Sequence, residues 1–401
     1  MGKADLETLK QQKKAKKLAQ KEVSKGNAQQ QLPPSPLQRS FKALPNPRPL
    51  AKGRLGSFTV MTFNILGQCL VKRELFPDSG EMLKWKTRRN MIAAEISMYK
   101  PDLMCLQEVD QYDTFYKPLL EKLGYKAEHF THPKKKHGCL IGYNATLFEM
   151  VNYTTVDYDS DKLCPPTWIT GNIAQIMALK HLEHPGLGIV LGNTHMYWRP
   201  NATYERLRQT AIYTERLMEF KNTLDSSTEW VPIVIGDFNT GPTDPGHAAV
   251  TSTELPQKEE KELEESRLNP GSFMEQEEES SNVAGQEQGE EAPIEPNKTM
   301  PTCDLVQVLK KYTPRWHSVY SCYGELDSAM SYSASGEPKF TNYTVAYKGT
   351  LDYILIRDQE DTVSATEILM LPPEESVMPS LPNRNFGSDH MCLVAKFDFT
   401  A

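Results

Sequence analysis

Apolar positions are sparse and aperiodic along the first 57 residues; from Phe58 onward they gather into short runs. FTVMTFNIL (58–66) is almost wholly apolar or β-branched and predicts a strand buried on both faces. LMCLQEV (103–109), GCLIGY (138–143), NIAQIMALKH (172–181), GIVLGNTH (188–195), PIVIGDF (232–238), LDYILI (351–356) and MCLVAKF (391–397) read the same way. Two stretches carry a helical period instead. Residues 84–100 place Trp85, Ile92, Ile96 and Tyr99 on one face, with Pro101 just beyond the end. Residues 203–224 place Leu207, Ala211, Leu217 and Leu224 inward. Short apolar strands interleaved with a few helices predict an α/β chain built in layers.

Two segments break the pattern, and charge explains both. Residues 1–54 carry 13 Lys+Arg against 3 Asp+Glu and are rich in Pro; they are expected to be a solvated, disordered tail, with a basic arm for RNA or a nuclear signal as the functional alternative. Residues 254–295 carry 14 Glu against 3 Lys+Arg. A stretch so charged buries too little apolar surface to offset its ordering entropy, so a disordered acidic insertion is expected at about 252–300, inside a domain spanning 55–401, with a charged regulatory strap over a basic groove as the alternative. The net charge of -7 conceals these opposed blocks and leaves the remainder mildly acidic, an odd surface for a polyanion unless carboxylates cluster around metal ions. The seven Cys are scattered with no C-x-x-C pair, which argues against zinc and a disulfide framework and for a reducing compartment, cytoplasmic or nuclear. No run of about 18 apolar residues is present, so no membrane span is expected.

The candidate chemistry lies at strand ends. Asn64, Glu108, His195, Asp237, Asn239, Asp352, Asp389 and His390 each abut an apolar run. A carboxylate in such a place needs a partner or a metal. Brought together, Glu108, Asp237 and Asp389 repel one another unless a cation neutralises them, and oxygen ligands from Asp, Glu and Asn suit magnesium or manganese. Singly, each has an ordinary explanation as a turn, cap or hydrogen-bonded core residue; the weight comes from their joint occurrence.

The runs TFNIL (62–66), LQEVD (106–110), NTHMYWRP (193–200), IGDFNTGP (235–242), FTNYTVAYKGTLDYIL (340–355) and GSDHMCLVAKF (387–397) together resemble the endonuclease/exonuclease/phosphatase superfamily, the group of deoxyribonuclease I and the abasic-site endonucleases. The resemblance covers about residues 57–253 and 300–399. FTNYT…YKGTLDYI looks like the deadenylase branch, with nocturnin, angel and the fungal Ngl-type exonucleases, and the Ngl type is nearest in layout. It implies a two-sheet β-sandwich flanked by helices, the deoxyribonuclease I-like four-layer sandwich. It implies two Mg2+ ions, with Mn2+ as substitute. Glu108 holds one beside Asn64; Asp237, Asn239 and His390 surround the other or the attacking water. Asp389 accepts the ring N–H of His390, His195 donates to the scissile phosphate, and Asp352 orients a catalytic partner. Phe340, by stacking, and Asn342 touch the terminal base, with Pro200 near it. Tyr197 and Trp198 either stack on bases or pack in the core. Where the large deadenylases have an acidic residue, this chain has Arg199, which could hold a phosphate and puts strict adenine preference in doubt. The implied activity is 3′-to-5′ exoribonuclease action on a single-stranded RNA 3′ end, poly(A) or a ribosomal RNA precursor, releasing 5′-mononucleotides. The alternative is a nucleotide or RNA-terminal phosphatase of the nocturnin or angel type.

Overall fold

The apolar runs become strands, and the strands collect in two mixed sheets. The computed structural model describes residues 33–252, 255–270, 294–295, 298–311, 315–357 and 361–400. The chain divides after Ser35, and residues 36–401 form one unit. Its strands are β1 (Phe41–Ala43), β2 (Gly56–Asn64), β3 (Leu103–Val109), β4 (Tyr125–Phe130), β5 (Gly138–Asn144), β6 (Phe148–Asp157), β7 (Ile173–His181) and β8 (Leu187–His195). They continue with β9 (Glu229–Asp237), β10 (Trp316–Ser318), β11 (Asn342–Tyr343), β12 (Lys348–Gly349), β13 (Asp352–Arg357), β14 (Val363–Leu369) and β15 (Leu393–Phe399). One sheet runs β1-β14-β15-β2-β3-β5-β4, the other β10-β13-β9-β8-β7-β6, and β11-β12 is a small hairpin. Among the described residues only β2–β3 and β8–β9 pair in parallel.

The two-residue alternation of side chains builds the layers. Phe58 and Val60 of β2, Ile189 and Leu191 of β8, and Ile233 and Ile235 of β9 meet between the sheets. Met61 and Phe63 turn the other way, under Ile92 and Ile96 of helix α1 (Trp85–Tyr99). Val190 and Val234 likewise turn under Ile212 and Leu217 of helix α2 (Thr203–Asn222). Each side chain so buried contributes about 1.5–3 kcal/mol, and strands clothed on both faces read as unbroken apolar runs. Helix α1 ends where Lys100 turns left-handed at φ 41°, its N–H still bonded to Ile96 O at 2.9 Å, one residue before Pro101. Helix–sheet–sheet–helix is the four-layer arrangement expected.

Two expectations are corrected. The tail was expected to run to residue 54, but its described part from Leu37 is ordered: β1 pairs with β14, Phe41 opposite Leu369. Arg39 is buried, sits 3.3 Å from Glu95 of α1 and donates to Cys392 O at 2.8 Å. That buried arginine, the strand pairing and the packing of Leu37, Phe41 and Leu44 on the core together hold the segment; residues 1–32 lie outside the described residues. The acidic insertion likewise holds helix α3 (Gln257–Leu268), which inserts Leu263 among Tyr204, Leu207 and Leu305 of α2 and helix α4 (Thr302–Lys310). Arg267 and Glu264 then bond Thr299 and Thr302. Residues 271–293 lie outside the described residues. Among the described residues no helix is long and apolar enough to cross a membrane.

Candidate active site

The sheet registers bring the polar strand ends to one edge. Asn64 lies opposite Gln107, beside Glu108; His195 lies opposite Asp237; and Asp237 lies opposite Asp352. β13 and β15 run antiparallel to their neighbours, so Asp352 and His390, at their beginnings, reach the same edge as residues at the ends of β2, β8 and β9. Gly236 makes the β8–β9 contact possible: its φ is 150°, and a Cβ there would stand 2.1 Å from Thr194 O. Glu108 and Asn239 have left-handed backbones, φ 60° and 48°, conformations that cost about 1–3 kcal/mol and persist where surrounding structure enforces them.

One amide joins two of the carboxylates. Asn64 Nδ2 donates to Glu108 Oε1 and to Asp237 Oδ2, each at 2.9 Å. The other Glu108 oxygen accepts the Gly67 N–H at 2.8 Å. His195 Nε2 stands 3.7 Å from Asp237 Oδ2 and 4.0 Å from Glu108 Oε1, and His390 Nε2 is 3.7 Å from the same Asp237 oxygen. Asn239 donates its amide to Met196 O at 2.9 Å, and its N–H bonds Asp237 Oδ1 at 2.9 Å.

The partner of His390 is corrected: its Nδ1 bonds Asp352 Oδ2 at 2.8 Å, not Asp389. Asp389 belongs to a bend at residues 387–389, so adjacency in sequence does not bring its carboxylate to the imidazole. Asp389 instead accepts from Asn342 Nδ2 and Ser388 Oγ, both at 3.4 Å. Thr341 Oγ1 donates to the same Asp352 oxygen at 2.5 Å while accepting the N–H groups of Leu351 and Asp352. Asp352 Oδ1 is buried and has no hydrogen-bond partner among the described residues.

The charges are poised for a cation. Burial, then the nearby Asp389, pushes the Glu108 carboxyl up to about 8, and burial together with Asp352 raises that of Asp237. Burial opposes charge on His390, yet Asp352 and Asp237 outweigh it and hold the imidazole well above its ordinary value. Donor atoms of Asp237, Asp352 and His390 lie within 4.8 Å of one another. Hard oxygen donors, raised carboxyls and an unbonded buried oxygen fit a divalent cation such as magnesium. His132, Asp157 and Asp159 form a second such group. Its carboxylates, however, are bonded to Thr170 and Gly171 N–H, to Asp159 N–H and to Ser160 Oγ.

The expected base contacts divide. Pro200 is exposed at the end of the loop that leaves His195. Asn342 is buried beside Asp389. Phe340 is corrected: at 3% exposure it lies in the core, edge-on to Tyr343 with centroids 4.9 Å apart, and has no free face for a base. Tyr197 is buried, with its ring 6.4 Å from that of Trp168. Arg199 is also corrected as a phosphate clamp: it is 7% exposed, with its guanidinium over the rings of Trp168 and Trp198 at 5.3 and 5.5 Å. The aromatic that is exposed is Tyr347, on the hairpin preceding Asp352; its phenol is raised by burial and by Asp244, Tyr332 and Asp237. Its place five residues before Asp352 was visible in the sequence. Arg88 also went unrecognised, although it falls on the apolar stripe of α1, three residues after Trp85. Buried, it donates to Gly387 O at 2.8 Å and Ile65 O at 2.5 Å and so fixes the two loops that carry the site.

Comparison with known proteins agrees with this geometry. Residues 61–390 match the Endonuclease/Exonuclease/phosphatase family. The chain is 30% identical to "Probable RNA exonuclease" of Schizosaccharomyces pombe, over 96% of this chain and 85% of that protein. It is 28% identical to RNA exonuclease NGL2 of Saccharomyces cerevisiae, over 90% and 81%. The crystal structure of ANGEL2, a 2′,3′-cyclic phosphatase, superposes with a TM-score of 0.63 at 22% identity, covering 91% of this chain and 99% of that one.

Proposed function

The chain belongs to the endonuclease/exonuclease/phosphatase family and is a hydrolytic enzyme of the nuclease and phosphodiesterase class; from that premise we propose that it is a magnesium-dependent 3′-to-5′ exoribonuclease releasing 5′-mononucleotides. The observation that carries the reading is the single buried cluster in which Asn64 touches both Glu108 and Asp237 while His195 and His390 face the same Asp237 oxygen. Glu108 would hold one ion, with Asn64 steadying its carboxylate through Nδ2 while its own amide oxygen accepts the Leu66 N–H, and Asp237, Asn239 and His390 would hold the other, with manganese as substitute. Bound there, divalent ions supply an activated water and charge relief at the entering and leaving oxygens.

The protein's own residues do the rest. Asp352 fixes the tautomer and orientation of His390, the division of labour usual when a carboxylate holds an imidazole. His195 offers a ring nitrogen toward charge developing on the phosphate. Tyr347, rather than Phe340, supplies a face for the terminal base, and Pro200, whose carbonyl Arg206 holds, borders the same subsite. Base stacking of this kind contributes about 1–3 kcal/mol and tolerates sequence. The RNA exonucleases among the relatives support an RNA substrate.

The same cluster would serve a terminal phosphatase, and likeness to the ANGEL2 fold keeps that second reading in view. Incubating the protein in magnesium with an end-labelled RNA ladder, a phosphorylated dinucleotide and an RNA ending in a 2′,3′-cyclic phosphate separates them. Progressive shortening from the 3′ end supports the exonuclease. Loss of the terminal phosphate from RNA of unchanged length overturns it in favour of the phosphatase.

A further inference from the structure

The loop leaving the carboxylate end of β8 is braced from a direction the catalytic residues do not explain. Residues 196–202 run from His195 to α2. On one side Asn239 bonds Met196 O, and Arg206 donates to the carbonyls of Arg199 and Pro200, the latter at 2.7 Å. On the other side stands Trp168, 3% exposed, whose ring carries the Arg199 guanidinium and abuts Tyr197. A buried indole N–H needs an acceptor. Here the acceptor is Pro270 O, at 3.1 Å, just past the end of α3 in the acidic insertion. Two further contacts tie the insertion to the same place. Ile294 N–H donates to Thr167 O at 2.8 Å. Ser266 Oγ donates to Asn201 O at 2.8 Å and accepts the Tyr204 N–H at 3.3 Å. Both described flanks of the insertion thus grip the wall that ends in Pro200.

We propose that Trp168 is a positioning residue that hangs the Arg199–Pro200 segment from the acidic insertion, so that the insertion sets how tightly the terminal nucleotide is held. This rests on the reading that Pro200 borders the nucleotide subsite. Arg199, enclosed by two indoles, acts through the loop it stiffens and not by reaching the substrate. The carboxylates of the metal-binding cluster are anchored by the sheets, and Asn239 meets the loop at Met196, beside the end of β8 and three residues before Arg199, so the brace bears on substrate affinity more than on the chemical step.

The test uses the full chain and two variants. Trp168→Phe keeps an aromatic face for Arg199 and removes the N–H that reaches Pro270; Trp168→Ala removes both. Hydrogen–deuterium exchange of residues 196–202 should accelerate in the Phe variant and further in the Ala variant. The KM for the shortest RNA hydrolysed should rise about two- to tenfold in the Phe variant, the effect of one buried hydrogen bond, with kcat unchanged. Discrimination between RNAs differing only in the 3′-terminal base should weaken in parallel. Wild-type exchange and KM in Trp168→Phe, or a fall in kcat at unchanged KM, overturns the proposal. If Trp168→Ala fails to fold, the Phe variant alone decides. Amide exchange is read without substrate, so a wild-type protein that leaves RNA intact refutes the exonuclease reading without touching the brace.

Discussion

Metal-free protein should lose stability as the pH rises from 5 to 8, because the carboxylate cluster is held together by protons when no cation is present. Glu108, pushed up to about 8 by burial and Asp389, binds its proton more tightly folded than unfolded, where a glutamate titrates near 4.5. A folded-state pKa above the unfolded one contributes stability that is complete below the unfolded value and is lost as pH passes through the folded value. Across the window the slope is about 1.4 kcal/mol per pH unit, so Glu108 alone accounts for roughly 3 kcal/mol between pH 5 and 7. Asp237, raised by burial and Asp352, acts in the same direction. His390, held above its ordinary value by Asp352 and Asp237 despite burial, adds the same sign above about pH 6.5. Glu264, pushed down to about 2 mainly by its hydrogen bond from Arg267, titrates below the window; His129 and His181, lowered by burial, oppose the trend below about pH 6.5, so the fall is read most cleanly from there to pH 8. For a domain of this size roughly 3 kcal/mol corresponds to a shift of about 5 °C in melting temperature. The assay is thermal unfolding in EDTA at half-unit pH steps, for the wild type and Glu108→Gln, repeated with excess magnesium. The wild-type curve in EDTA should fall, the variant's should fall less, and magnesium should raise the wild type most at the alkaline end, where the carboxylates are free to bind it. A melting temperature in EDTA that is flat or rising from pH 5 to 8, or a slope undiminished in Glu108→Gln, refutes the reasoning.

Asp352→Asn should lower kcat about 100- to 10,000-fold with KM and melting temperature little changed, since it removes the charge that orients His390 without changing the shape; steady-state kinetics with circular dichroism checks this. Tyr347→Ala should raise KM for RNA about 5- to 100-fold through lost stacking. Phe340→Ala should instead lower stability by about 3–5 kcal/mol in urea unfolding, and the opposite pattern would return Phe340 to the substrate. Arg39→Ala should cost about 3–5 kcal/mol, because it strands Glu95 as a buried, unpaired carboxylate; urea unfolding of Arg39→Ala alone and with Glu95→Gln would show the second change recovering much of the loss.

What the sequence made legible follows from the range of the forces involved. Strand runs such as 58–66 and 188–195 declared themselves because each is clothed on both faces, and the motif residues at their ends converge because registers such as His195 opposite Asp237 are fixed by those same runs. Partners were harder to read. Asp389 looks like the companion of His390 because it is adjacent in sequence, yet it lies in a bend and turns its carboxylate to Asn342, and the true partner, Asp352, lies 38 positions earlier. Phe340 and Tyr347 flank the same motif, and only packing against Tyr343 decides that the first is core and the second exposed. Arg39 and Leu263 show the converse: a few buried side chains, with strand pairing or polar ties beside them, order a segment whose composition predicts disorder, because the surfaces they meet are made by elements far away in the chain.

The position of strain bears on why the cluster sits where it does. Glu108 and Asn239 both adopt left-handed backbones, and neither is Gly. Left to itself, each position would relax and swing its side chain out of the group. Glu108 is the last residue but one of β3 and Asn239 lies just past β9, and both strands are held from both sides: β3 lies between β2 and β5, and β9 between β8 and β13. The ladder of β3 with β5 is irregular just there, between Leu106 and Val109, so the distortion is absorbed at the edge while the ladder below stays regular. Beneath it Gln107 donates to Asn193 Oδ1 at 2.8 Å, and Asn193 returns its amide to Leu106 O and Leu140 O, locking the two sheets together directly under the strained residues. Breaking that lock, as Asn193→Leu would, removes what enforces φ 60° at Glu108, so the loss should appear as weakened magnesium binding before it appears as unfolding.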